Sequence, residues 1–181
     1  MSESAITKKA LASTMKALMA ERPFAKISVS DICAACGMHR KSFYYHFRDK
    51  YDLVNWTFYH DFVEITVNSQ PESFSGLYLR LCEYFYENRV FYRNALSVEG
   101  QNSFGEYYRE LFGAAVRAYF EEDFSEEDDE ELLAQYYGEA SLLSLSKWLK
   151  TSPCPPPGEY VGLMKKALKS LLKIAKETGD A

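Results

Sequence analysis

What the chain lacks narrows the field before any motif is read. No uninterrupted apolar stretch approaches the roughly 20 residues needed to cross a bilayer, and the opening Met1-Ser2-Glu3-Ser4 has no signal-peptide character. A cytoplasmic protein with no membrane partner is expected. Cysteine is sparse: Cys33, Cys36, Cys82 and Cys154 are scattered too widely for a disulfide framework, which suits a reducing compartment. No stretch alternates apolar and polar residues cleanly enough to be a strand. His39, His46 and His60 are the only histidines, and neither His46 nor His60 stands with a serine, cysteine or acid in a catalytic pattern. No catalytic residue and no enzyme is expected. Cys33-x-x-Cys36 has no second Cys or Cys/His pair nearby to complete four ligands, so no metal and no cofactor is expected either.

What is present is a chain of 181 residues, 47% hydrophobic and 26% charged, enough for a small headpiece plus a larger body. The net charge of −5 speaks against nucleic acid when taken whole. It is unevenly spread. Residues 1–55 hold nine lysines and arginines against five acids, a net +4, which leaves −9 for the remainder. A basic head on an acidic body is the asymmetry expected when only the head touches DNA.

Helical spacing runs through every long segment and predicts about nine helices and no sheet. Helix 1 places Ile6, Ala10, Leu11, Met15, Leu18 and Met19 on one face and ends before Pro23. Helix 2 is expected to start at Ser30 as N-cap, to carry Ile32 and Ala35 inward and to stop at Gly37. A short third helix spans about His39 to Phe47. Asp49 caps a long helix with a stripe of Leu53, Trp56, Tyr59 or His60, Val63 and Val67, which breaks at Ser69-Gln70-Pro71. The body then carries helices around Leu77, Leu81 and Phe85, near Phe91, and from Phe104 to Tyr119, which runs into the acidic stretch Glu121–Glu131. Two strong helices close the chain, Leu132–Leu149 and Tyr160–Ala175, joined by the stiff connector Ser152-Pro153-Cys154-Pro155-Pro156-Pro157-Gly158. The expected division is a headpiece at 1–55 and a helical bundle body at 56–181.

The informative segment runs from Ser28 to Lys50. A helix-turn-helix needs apolar anchors on its first helix, a tight turn and a second helix with exposed donors. Ile32, Ala35 and Cys36 supply the anchors, and Gly37 the turn. Phe43 and Phe47 point back to the core, which leaves Arg40, Lys41, Tyr44, Tyr45 and His46 as a dense run of donors on one short helix.

The pattern Ser28-x-x-Asp31-Ile32, Gly37, then Phe43-Tyr44-Tyr45-His46-Phe47-x-Asp49-Lys50 resembles the headpiece of the TetR family of bacterial regulators. The resemblance covers about the first 55 residues. Ile6-Thr7-Lys8-Lys9-Ala10-Leu11, Pro23-Phe24 and Asp49-Lys50-Tyr51-Asp52-Leu53 are also similar to a branch linked with dihydroxyacetone-kinase operons. Pro23 departs from the glycine common after helix 1, which implies a different turn there and leaves the DNA face intact. Carried over position by position, the family pattern implies that Ser28 and Ser30, Ser42, Tyr44 and His46, and Lys50 bond phosphate oxygens. It implies that Arg40 and Lys41 reach base edges, where such donors read guanine O6 and N7. His39 and Tyr45 complete the expected DNA-binding set. Cys33 and Cys36 fall where the family has small apolar residues, which favours packing over redox chemistry; a helical thiol-redox enzyme is the rival from another class.

The body is more open to interpretation. Trp56, Tyr59, Tyr84, Phe85, Tyr107, Tyr108 and Tyr136 are candidates to line a ligand pocket, with an aromatic core as the plain alternative. The acidic run Glu126–Glu131 reads as a solvated helix start. Small residues at Gly138, Ala140, Ser141 and Ser144 allow close helix approach. Leu142, Leu145, Leu149, Met164, Leu168 and Leu171 offer an apolar stripe that pairs two chains in a four-helix interface or packs inside one. The expected protein is an all-α, homodimeric, sequence-specific transcriptional regulator. It binds a palindromic double-stranded operator under control of a signal sensed by the body. The signal is a small-molecule effector or, in an alternative reading as an activator, a protein co-regulator.

Overall fold

Caps and breakers set the helix boundaries. In the computed structural model, which describes residues 3–69, 73–120 and 129–178, α1 (Glu3–Glu21) stops two residues short of Pro23, and a single 3-10 turn (Phe24–Lys26) follows. Ser28 caps α2 (Val29–Ala35). Its Oγ accepts the Asp31 amide at 3.1 Å, and Asp31 Oδ2 accepts the Ser28 amide at 2.7 Å, a reciprocal capping box. The expected cap, Ser30, lies inside the helix instead. Ser28 wins because an acid lies three residues on, whereas Cys33 stands three residues after Ser30. Gly37, at φ +66°, takes the left-handed conformation that turns the chain into α3 (Arg40–His46). Asp49 then caps α4 (Lys50–Phe58) by accepting the Tyr51 and Asp52 amides, both at 2.8 Å.

α4 continues through a π-helical turn, Tyr59–Val63, into α5 (Glu64–Ser69), so one rod leads from the headpiece into the body and passes straight through the expected division at 55/56. Ser73 caps α6 (Phe74–Glu87); α7 (Arg89–Ala95) and α8 (Phe104–Phe120) follow. Asp129 caps α9 (Glu130–Lys150), and α10 (Pro157–Thr178) opens on Pro157, whose missing N–H is no loss at a first helical position. With the rod counted once, the described residues make nine helices and no strand: the fold is all-α. Gln70 and Pro71 of the expected break, and Glu121–Asp128 of the acidic stretch, lie outside the described residues.

Several buried faces differ from expectation. α2 buries Ile32 and Cys33, with Cys36 half-buried behind them, and leaves Ala35 exposed. The i, i+1, i+4 spacing of 32, 33 and 36 defines one helical stripe that position 35 falls outside. Ile6 is exposed, and the buried face of α1 is Leu11, Ala12, Met15 and Met19. Along the rod the buried residues are Leu53, Val54, Thr57 and Phe58 and then Thr66, while Val67 is 69% exposed. The π turn inserts an extra residue, so a stripe counted at α spacing drifts off the buried side.

One core joins head and body. Phe58 stacks on Phe85 (ring centroids 5.5 Å apart) and meets Phe104 edge-on at 5.3 Å, while Leu11, Met15, Ile32 and Phe43 belong to the same buried cluster. Each such side chain contributes about 1.5–3 kcal/mol by leaving water. Two polar contacts fix the joint. Asn94 of α7 donates through Nδ2 to the carbonyls of Met19 and Arg22, both at 3.0 Å, and accepts the Phe24 amide at 2.7 Å. Lys16 of α1 bonds Asp61 in the π turn at 2.8 Å and Asn88 at 3.3 Å. Between α8 and α9 the backbones almost touch: a Cβ on Gly113 would stand 3.1 Å from the Ala134 carbonyl oxygen.

Candidate nucleic-acid interface and body cavity

α3 lies across the headpiece with Phe43 and Phe47 buried beneath it, a consequence of their i, i+4 spacing. The opposite face carries His39, Arg40, Lys41, Tyr44 and Tyr45, all exposed, with Tyr45 at 82%; Ser42 and His46 are half-buried at its edges. Arg40 is pre-aligned on this face: its Nη2 donates to the Tyr44 hydroxyl at 3.3 Å and its guanidinium lies 5.8 Å from that ring's centre. Tyr45 packs edge-on against His46 at 4.9 Å. Ser28 and Ser30 are exposed at the start of α2. The Ser28 hydroxyl is already engaged with Asp31 at 2.6 Å, and this contact, with the Ser28 amide and then Arg22, holds the Asp31 carboxyl below its usual range.

Lys50 departs from the expected phosphate donor. Its ammonium donates to the carbonyls of Ile27 at 2.7 Å, Phe24 at 2.8 Å and Ala25 at 3.4 Å, and sits 4.5 Å from the Phe24 ring centre. An ammonium has three donors, and all three are committed within the chain. Lys50 clamps the 3-10 turn before α2. Burial pushes its pKa down, with Asp31 partly opposing that.

In the body, a cavity of about 370 Å³ opens between the rod, α6 and α8. The rod contributes Phe58, Phe62, Val63 and Thr66; α6 contributes Phe74, Leu77, Tyr78 and Leu81; α8 contributes Tyr108, Leu111, Phe112 and Ala115. Of the seven candidates from the sequence, only Tyr108 lines it. Trp56 instead stacks on His60 at 4.8 Å, Phe85 is wholly buried, and Tyr84 is bonded to the Tyr92 hydroxyl at 2.6 Å. Tyr107 is half-buried against the core, and Tyr59 and Tyr136 are exposed. The aromatic residues missed share a signal that could have found them. Phe58/Phe62, Phe74/Tyr78 and Phe112 with the expected Tyr108 are aromatic pairs at i, i+4, one on each wall.

Comparison with known proteins places this architecture. A family model described as "Bacterial regulatory proteins, tetR family" matches residues 12–55, and one described as "Transcriptional regulator C-terminal region" matches residues 72–170. The chain belongs to the TetR family. A curated relative, the HTH-type dhaKLM operon transcriptional activator DhaS of Lactococcus lactis, is 35% identical over 100 residues, 55% of this chain and 54% of that protein. The alignment thus spans about half the length of that relative. Among solved structures, a dihydroxyacetone kinase operon activator DhaS is similar at TM-score 0.65 and 22% identity, covering 94% of this chain and 98% of its own. A TetR transcriptional regulator from Streptococcus agalactiae is similar at TM-score 0.67 and 18% identity, covering 89% and 94%. Both support the fold.

As a TetR-family protein the chain is a transcription regulator with a helix-turn-helix DNA-binding headpiece, not an enzyme. Cys33 and Cys36 are free thiols on the inner side of that headpiece, and burial pushes the Cys33 thiol up, away from the reactive thiolate. No described helix is long and apolar enough to cross a membrane. The stripe expected at a TetR dimer contact splits in two. Leu145 and Leu149 are wholly buried within their own chain, and Leu142 and Met164 pack against the same core. Leu168 and Leu171 remain more than half exposed, together with Leu143 and Leu163. The small residues also serve the single chain: Ser141 bonds the Tyr108 hydroxyl at 2.7 Å, and Ser144 bonds that of Tyr160 at 2.7 Å.

Proposed function

We propose that this regulator acts in the cytoplasm as a homodimer, binding a two-fold-symmetric operator with an affinity set by a small molecule received in the body. Residues 1–55 act as the DNA headpiece and 56–181 as the sensing and dimerisation body. The observation that carries this reading is the outward face of α3, where Arg40, Lys41, Tyr44 and Tyr45 stand exposed on a helix anchored by Phe43 and Phe47. Arg40 and Lys41 read base edges. Ser42, Tyr44 and His46, with Ser30 from α2, bond phosphates, His39 and Tyr45 flank them, and Ser28, whose hydroxyl and amide are given to Asp31, reaches a phosphate only by exchanging that bond. Lys50 contributes by holding the turn that positions α2. Two such helices enter successive major grooves when about 34–36 Å apart.

The exposed leucines Leu143, Leu163, Leu168 and Leu171 on α9 and α10 support dimerisation, because four large apolar side chains on adjacent helices suit a partner better than water. The cavity supports a small-molecule signal over a protein co-regulator. An effector acts by favouring one headpiece spacing, to the extent of its differential affinity for the two states. Selection of bound fragments from genomic DNA, followed by polarisation titration at several salt concentrations, tests this. A two-fold-symmetric consensus and affinity falling steeply with salt are expected; equal affinity for every sequence would refute it. The relative named as an activator supports activation as the sign of control. Deleting the gene should then lower transcription from the selected site, and a rise would favour repression.

A further inference from the structure

No described side chain that lines the body cavity carries a charge. We infer that the cavity admits an uncharged, largely apolar molecule with a planar ring system and excludes the anionic counterpart of the same molecule. This rests on the reading of the body as a sensor and gives its signal a chemical class.

Three observations carry the inference. The two deep hydroxyls of the cavity are already matched to the closing helices: Tyr108 to Ser141 at 2.7 Å, and Tyr78 to Tyr160 at 3.4 Å, with Tyr160 in turn bonded to Ser144, which leaves the small Thr66 hydroxyl and the rim Tyr119 as the other polar groups of the lining. A ligand seeking those hydroxyls must break contacts that tie the cavity wall to α9 and α10. Burial also pushes both phenols further above their ordinary range, so both stay uncharged at neutral pH and neither offers a charge to a ligand. A charged ligand would lose its hydration with nothing to replace it, a loss no apolar contact offsets.

Ring geometry favours a planar guest. Phe112 meets Phe74 and Tyr78 at interplanar angles of 70° and lies nearly parallel to Tyr108, at 22°. The lining therefore offers both ring edges and ring faces, the two arrangements aromatic groups prefer. Val67 and Tyr119, partly exposed, stand at the rim, so entry needs no passage through the core.

The test uses the full chain and two fluorescent probes that share an aromatic skeleton, neutral N-phenyl-1-naphthylamine and the anionic 8-anilinonaphthalene-1-sulfonate. The neutral probe is expected to saturate at one molecule per chain. The sulfonate should bind on the order of a hundredfold more weakly and fail to displace it in tenfold excess. Ala115→Phe and Leu77→Trp, each putting a larger side chain into the cavity from a different helix, should abolish neutral-probe binding; circular dichroism identifies which of them remains folded. The inference is overturned if the sulfonate binds equally well, if wild-type protein binds neither probe, or if a folded cavity-filled variant binds the neutral probe undiminished. Operator affinity measured with and without bound neutral probe tests the sensing role separately. A bound probe that leaves that affinity unchanged counts against sensing and leaves the ligand class standing.

Discussion

Gly138 of α9 lies directly against the backbone of Arg109 in α8, so that a Cβ at 138 would stand 3.0 Å from the Arg109 carbonyl oxygen. A carbonyl in a helix cannot swing aside as a side-chain tip can. Gly138→Ala should therefore push the two helices apart and cost about 1–3 kcal/mol despite the better helix propensity of alanine. Gly105→Ala is the matched control. Its Cβ would meet only side-chain atoms at ordinary distances, Leu142 Cδ2 at 3.5 Å and Ser103 Oγ at 3.8 Å, and the change should be neutral or stabilising by up to about 1 kcal/mol. Urea unfolding decides between them, and equal effects would show that helix spacing is not what Gly138 protects.

Arg40 and Lys50 should fail in different ways. Arg40→Ala should cost about 1–3 kcal/mol on the true operator and much less on random DNA, because it removes a reader of base edges. Lys50→Ala should instead lower fold stability by about 1–3 kcal/mol, as three carbonyls lose the Lys50 ammonium and only that of Phe24 keeps another donor, the Ile27 amide at 3.1 Å. The salt slope of DNA binding should stay the same in Lys50→Ala. A slope reduced by about one, with stability unchanged, would return Lys50 to the phosphate contacts.

Acid should loosen the headpiece through Asp31. Its folded pKa is lowered from the ordinary 3.8 by the Ser28 hydroxyl, the Ser28 amide and Arg22. A carboxyl shifted down supplies stability above its unfolded value and loses it as pH falls through the folded one. Ser28→Ala should return the Asp31 titration toward 3.8, and the stability gap between variant and wild type should narrow as pH drops below that value. Carboxyl chemical shifts followed by NMR test this; an Asp31 titration indifferent to the loss of Ser28 would contradict it.

Replacing Leu168 and Leu171 with Glu should give folded monomers that lose operator binding, since both are exposed in the single chain and no DNA-facing residue has changed. Leu145→Ala should cost about 2–5 kcal/mol of stability, because that side chain is fully buried in its own core. Sedimentation velocity and urea unfolding separate the two outcomes. A Leu168/Leu171 double variant that stays dimeric removes α10 from the interface.

The headpiece was more legible than the body for a physical reason. Its boundaries are set by local chemistry, with Asp49 as cap, Gly37 at positive φ and Phe43 with Phe47 one turn apart, and local chemistry is written in consecutive residues. Even there, the competition between Ser28 and Ser30 was decided by Asp31, and the geometry of Lys50 by carbonyls more than twenty residues away. In the body, periodicity identifies an apolar stripe without saying what covers it. Leu145 and Leu168 look alike in sequence, yet one is sealed by its own chain and the other faces out. The cavity wall has a further cause. The π turn begins at Tyr59 and shifts the rod only beyond it, so that Phe62 and Thr66 join Phe58 on the cavity side, while Trp56, ahead of the turn, lies on the flank that meets Phe47 and His60.

Asn94 has a consequence for how freely this headpiece can be exchanged. The carbonyls of Met19 and Arg22 and the amide of Phe24 all find their partner on one body side chain. The first fifty-five residues are therefore not a self-contained cartridge. Excised, they keep their recognition helix but leave the end of α1 open to water at the place that orients it. A chimera grafting them onto a foreign body inherits that gap unless an amide side chain awaits at the matching position of its α7. Headpiece and body must be inherited, or engineered, with position 94 counted on the headpiece's side.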